Sequence, residues 1–183
     1  VPRITPLEPP YAADLQASFD AITRGAPPIL LFRTVAASGR AWDKFRGGSL
    51  LDRGPLSLRE RELVIDRVSA LTGCEYEWGV HVAAFADAAR LTPAEVEATA
   101  TTGSAAEGWS DAERVLLQTV EALDARATLS GPEFQALSAH YDPAQILEVM
   151  LLCGFYRSVA YLANGLDLPL EDFGARFPAT ASR

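Results

Sequence analysis

Four segments of the chain repeat one local instruction. Ser57-Leu-Arg-Glu60, Thr92-Pro-Ala-Glu95, Ser110-Asp-Ala-Glu113 and Ser130-Gly-Pro-Glu133 each set a hydroxyl three residues ahead of a glutamate. In this capping-box pattern the hydroxyl accepts from the third helical amide and the glutamate accepts from the cap's own amide. Two donors that a helix start leaves unpaired are thereby satisfied. Asp142-Pro143 is a fifth start, with proline where its missing N–H costs nothing. Asn164-Gly165 fits a helix stop, and Gly103 and Gly108 bracket a loop before Ser110. A chain punctuated this way is committed to helices.

The apolar period between the signals agrees. Val64, Val68 and Leu71 share a face beside Ile65, and Val115, Thr119 and Ala122 share another, flanked by Leu116, Val120 and Leu123. Alternating strands joined by Asn-Gly or Asp-Gly turns are absent. The expected fold is all-α, a helical bundle of eight or nine helices. One begins near residue 12, one or two lie within 29–51, and the rest span 58–71, 74–90, 93–101, 111–126, 133–141 and 143–164. The helix order after Cys74 resembles the order after Ser110, which points to two related helical halves within a single domain over 1–183.

The chain has 183 residues, 49% of them apolar and 22% charged, enough for one sizeable core. A net charge of −8, without Lys/Arg clusters interleaved with aromatics, disfavours nucleic acid as a partner. Two cysteines, Cys74 and Cys153, do not make a disulfide framework and suit a reducing, cytoplasmic setting. The opening VPRITPLEPPY lacks the regions of a signal peptide. The most apolar run, 146–166, is interrupted by Glu148, Arg157 and Asn164, and is read as a buried core helix rather than a membrane span.

The chemistry concentrates in LTGCEYEWGVHVAAF, residues 71–85, which holds one of two cysteines and one of two histidines. In a helix starting at residue 73 or 74, Cys74, Glu77, Trp78 and His81 form one stripe continued by Phe85. A thiol in the first turn meets unpaired amides and the helix dipole, which favour thiolate, while Glu75 and Glu77 oppose it. A carboxylate on an aromatic stripe needs a partner, and His81, one turn on, is the obvious one. A single histidine is a poor basis for a zinc site, and there is no G-x-S-x-G or glycine-rich phosphate loop, so no metal or cofactor is expected. On the preceding helix Glu62 and Asp66 are i, i+4 neighbours, and a second carboxylate aimed at the stripe comes from this row. Arg59 and Glu60 are assigned to the solvated face.

The stretch LRERELVIDRVSALTGCEYEWGVHVAAF, followed by LTPAEVEA, resembles the carboxymuconolactone decarboxylase family, which includes the alkyl hydroperoxidase D proteins. The likeness is strongest over about 40–125 and extends weakly to both ends. It implies an alkyl hydroperoxidase D-like helical bundle that assembles into homo-oligomers, as dimers, trimers or hexamers. The hydroperoxidase branch has a Glu, then a Cys-x-x-Cys twelve residues on, then a His four beyond the second Cys. On this chain those fall on Glu62, Cys74, Glu77 in place of the second Cys, and His81. The missing sulfur removes the dithiol. The decarboxylase branch works without cofactor, and the resemblance then implies His81 as proton donor, Glu62 as its orienter and Glu77 as a tuning carboxylate. The implied substrate is a small carboxylated or lactone molecule. Arginine for its carboxylate comes from Arg59, Arg61 or Arg67, and Trp78 and Arg67 are carried as candidate substrate contacts. The alternatives are a single-cysteine peroxidase working through Cys74 and a catalytically lapsed binding or assembly module.

Overall fold

A computed structural model describes residues 2–179. Among them are nine α-helices and one short 3-10 turn, with no strand. They are α1 (Ala13–Thr23), α2 (Leu30–Val35), α3 (Gly39–Gly47), α4 (Leu58–Leu71), α5 (Glu75–Phe85), α6 (Pro93–Ala100), α7 (Asp111–Arg126), α8 (Gly131–Ser138) and α9 (Pro143–Gly165). The turn, Gly103–Ala105, lies in the glycine-bracketed loop. All four Ser/Thr–Glu capping boxes close as expected, and Asp142 closes a fifth with Gln145.

Three boundaries move. Cys74 is the cap of α5 rather than a helical residue, and its side chain makes no capping hydrogen bond. Helix α5 ends at Phe85, and the chain turns through a left-handed Arg90 (φ 56°) before the Thr92 cap. Helix α9 runs through Gly165, with the left-handed reversal on Asp167 (φ 54°), so Gly165 is not its stop.

The larger departure concerns α4. Periodicity suggests one buried face, yet every residue from Glu62 to Ser69 is buried. Helix α4 is the axle of the bundle, packed against α5, α6, α7 and α9. Its polar residues must therefore find partners inside. Arg67 does so structurally: Nε donates to Glu121 (2.9 Å) and Nη1 to the Thr99 carbonyl (3.0 Å). Arg59, expected in solvent, joins three helix starts instead. Its guanidinium donates to Glu113 (2.6 Å), the Arg90 carbonyl (2.8 Å) and Glu95, so two capping-box glutamates each serve twice.

Helix α9 gives Ile146, Val149, Leu152, Tyr156, Val159 and Ala163 to the core. By length and composition it is nonetheless long and apolar enough to cross a membrane, so its polar interruptions do not decide the point. One face packs on α4 and α5, while Leu147, Leu151 and Tyr161 stand exposed on the other.

Beyond α9 the chain returns along α5 as a strap. Glu171 accepts from the Tyr76 hydroxyl and the Leu30 amide, both at 2.6 Å. The Ala175 amide donates to the Gly79 carbonyl (3.0 Å), the Phe177 amide to Glu75 (3.0 Å), and the Phe177 ring packs on Trp78. A Cβ at position 79 would overlap the Ala175 carbonyl oxygen, so glycine is what lets the strap lie flat. Gly79→Ala is expected to lower stability by about 1–3 kcal/mol. Urea unfolding measures that loss, and limited proteolysis should show earlier cleavage within 168–179.

Candidate active site

Side chains from α4, α5 and α9 meet around His81. Helix α4 places Glu62, Asp66 and Ser69 at i, i+4 and i+7, a single row. Helix α5 faces it with Glu77 and His81, also one turn apart. Glu62 Oε2 is 2.7 Å from His81 Nδ1, and Glu77 Oε1 is 3.3 Å from His81 Nε2. The imidazole is thus held at both nitrogens by carboxylates from neighbouring helices. Tyr156 of α9 meets the ring edge-on at 5.2 Å and Phe85 lies at 5.3 Å, so apolar walls enclose the ion cluster.

Burial opposes charge on His81, which is 4% exposed. Hydrogen bonds to Glu62 and Glu77, together with their negative charges, outweigh that and raise its pKa to about 10. With a carboxylate beside each ring nitrogen, the imidazolium form is favoured at neutral pH. Asp66 goes the other way. Burial first, then the Glu62 and Glu77 charges, push it well above the usual carboxylate range against the opposing pull of His81. It therefore sits in the seam as a neutral acid. Three buried atoms along this seam, Asp66 Oδ1, Ser69 Oγ and Glu77 Oε2, have no hydrogen-bond partner among the described residues.

The structure divides the residues singled out from sequence. It brings Glu62, Glu77 and His81 together. Cys74 shares their helix end, but its thiol is fully buried, and burial pushes its pKa up to about 12 despite help from the Glu77 and Tyr76 amides. In sequence the helix start and the neighbouring carboxylates pull the thiol opposite ways; in the structure it is a cap facing the core, where desolvation exceeds the helix-start effect. Trp78 is held in the interior. It is 2% exposed, donates to Thr99 Oγ1 (3.0 Å) and packs in the core. Arg67 is spent on Glu121 and Thr99, away from His81. Tyr156 was missed, since nothing in local spacing marks a residue that reaches the site from α9.

The charges of the cluster set how stability varies with pH. His81 has a folded pKa above its unfolded value of about 6.5, so its stabilising contribution is complete below that pH and is lost as pH rises toward 10. Side-chain 15N spectra should show imidazolium at pH 8.5, and a His81→Gln variant should lose stability less steeply than wild type between pH 6.5 and 8.5. Asp66→Asn removes a buried acid that the unfolded chain prefers ionised. It is expected to raise the unfolding midpoint at pH 8, with the advantage shrinking to nothing near pH 4.

Comparisons with known proteins agree with this architecture. Residues 36–121 match the carboxymuconolactone decarboxylase family. Among solved structures, an uncharacterized peroxidase-related protein with an alkylhydroperoxidase AhpD core from Ralstonia eutropha superposes with a TM-score of 0.81 at 18% identity, covering 93% of each chain. A peroxidase-related protein from a Silicibacter species gives 0.79 at 18% identity, over 91% of this chain and 90% of the other. The debrominase Bmp8, in complex with 2,3,4-tribromopyrrole, gives 0.78 at 16% identity, over 93% and 92%. A search of curated proteins finds no match. At these identities the structural likeness establishes the fold, and the matched segment carries Glu62, Cys74, Glu77 and His81. Residues 36–121 are thus similar to the carboxymuconolactone decarboxylase family, and the chain has the fold of the alkyl hydroperoxidase D-like proteins.

Proposed function

We propose that this protein is a cofactor-independent acid–base enzyme acting on a small carboxylated or lactone substrate, by decarboxylation or a related lyase or isomerase step. The observation that carries the reading is the His81 imidazolium held between Glu62 and Glu77 inside apolar walls. In a decarboxylation the C–CO2 bond breaks and its electron pair moves into a conjugated carbonyl. The carbon that lost CO2 then takes a proton. Nδ1–H is held tightly by Glu62, so the looser Nε2–H, 3.3 Å from Glu77, is the transferable proton. Glu62 fixes the ring and stabilises its charge.

A thiol peroxidase is the runner-up from the family's other branch. It needs an accessible thiolate, and the burial of Cys74 works against one. The reading of a lapsed binding or assembly module is favoured by a specific observation. His81 is 4% exposed, and two cavities of about 450 and 310 Å³ lie elsewhere, beside α6 and beside the C-terminal half of α9. Self-association as a dimer, trimer or hexamer belongs to the same proposal and is supported by the exposed apolar face of α9. The two free, buried cysteines are in keeping with a cytoplasmic setting.

Carbon dioxide release from a panel of carboxylated γ-lactones tests the reading. Cys74→Ser is expected to stay within about threefold of wild type, while His81→Gln loses about 10²–10⁴-fold, the range of general acid catalysis. The opposite pattern would sink it in favour of thiol chemistry.

A further inference from the structure

The closed cluster has one cationic neighbour that reaches solvent. Arg61, 15% exposed along its side chain, lies beside the nearly inaccessible Glu62. Its Nε is 3.3 Å from Glu62 Oε1, and its guanidinium lies over the Phe85 ring, 6.0 Å from the centroid. Nη1 donates to the carbonyls of Leu51 (3.1 Å) and Asp52 (3.5 Å), and Nη2 makes no hydrogen bond among the described residues. The other two arginines of α4 are committed elsewhere, Arg59 to Glu95 and Glu113 and Arg67 to Glu121.

The two carbonyls belong to the irregular segment that joins α3 to α4. Gly48 at its start rests against the Phe155 ring, and Phe155 packs edge-on against Tyr156, which touches His81. Leu56 at its end is in the core. Between them, Leu50 and Leu51 pack partly buried against the core and Gly54 lies against Glu148, while the hydrogen bonds from 49–55 to other elements are the two from Arg61, Ser49 Oγ to the Arg46 carbonyl, and Gln145 Nε2 to the Pro55 carbonyl (3.3 Å). Neutral carbonyl oxygens are weaker acceptors for a guanidinium than a carboxylate, whose two oxygens match the Nη1/Nη2 edge.

We propose that Arg61 is the binding site for the carboxylate of an anionic small molecule, and that residues 49–55, latched by the same guanidinium, are the gate to His81. The ligand's carboxylate takes the Nη1/Nη2 edge, the Leu51 and Asp52 carbonyls are released, and Nε stays on Glu62. The guanidinium then lies between Glu62 and the ligand's carboxylate, and the path past Phe85 to the His81 ring opens. Any chemistry after binding rests on the acid–base reading, but the anchor and the gate stand on geometry of their own.

The test uses the full chain with acetate and γ-carboxy-γ-butyrolactone as probes, and the lactone's methyl ester as the neutral control. NMR tracks the Arg61 Nε–H and the Leu51 and Asp52 amides, and hydrogen exchange tracks 49–55. Both carboxylates should shift these signals saturably and speed exchange in 49–55, while the ester does neither. Arg61→Lys, which keeps the charge but not the two-pronged edge, is expected to weaken binding about 10- to 100-fold. Arg61→Met should abolish binding and leave 49–55 exchanging fast without ligand. Undiminished binding by Arg61→Met, or no response of wild-type 49–55 to either carboxylate, overturns the proposal. A His81→Gln variant separates the two readings. Carboxylate binding at Arg61 with no turnover by any form upholds the anchor and ends the acid–base reading. Turnover with unchanged KM in Arg61→Met does the reverse.

Discussion

The hydrogen bond between Glu62 and His81 is what allows α4 to occupy the centre of the bundle. A helix packed on four sides by others has no face to give to water, yet α4 carries Glu62, Asp66, Arg67 and Ser69 inside it. Three of them are answered, each differently, and Ser69 Oγ has no partner among the described residues. Arg67 is neutralised by Glu121, Asp66 keeps its proton, and Glu62 is balanced by an imidazolium from α5 with Arg61 at its outer edge. Leaving Glu62 buried without that partner costs about 3–5 kcal/mol, a large share of the stability of any domain this size. The same contact that lets α4 be buried keeps the ring charged and aimed, so architecture and chemistry rest on one bond.

Much of this was legible in the sequence because the signals are local. Hydroxyl and glutamate three residues apart report on their own helix start, and every box closes. The stripe at Glu77 and His81, and the Glu62–Asp66 row opposite it, likewise depend only on helical geometry. What escaped depends on packing between distant segments. Arg59 looks like a solvated charge until α6 and α7 bring their capping glutamates to it. Trp78 and Arg67 carry the chemistry of ligand contacts, but their partners, Thr99 and Glu121, lie 21 and 54 residues on. For Cys74 the sequence offers opposing effects that only packing resolves. A helix start does favour a thiolate, but only where water or a cation shares the cost of the charge, and its side chain turns into the core.

Replacing the second thiol of the hydroperoxidase pattern with Glu77 changes what the site can do. A sulfur there would face Cys74 as a redox partner; a carboxylate faces His81 and locks a proton on it. The surviving thiol is left in an apolar setting that resists ionisation. On the proposed reading, reactivity passes from sulfur to a proton held between helices.

The strap along α5 bears on how the molecule is made. Glu171 fastens both the Leu30 amide at the start of α2 and the Tyr76 hydroxyl on α5, and Tyr156, which walls the imidazole, is on the penultimate stretch of chain. During vectorial synthesis the α4–α5 hairpin emerges with its carboxylates and imidazole together but uncovered. Water attends the ion cluster until α9 arrives, and the strap clamps α5 only after that. The nascent chain thus pairs its buried charges before it dries them, the less costly order for sealing ions in a core.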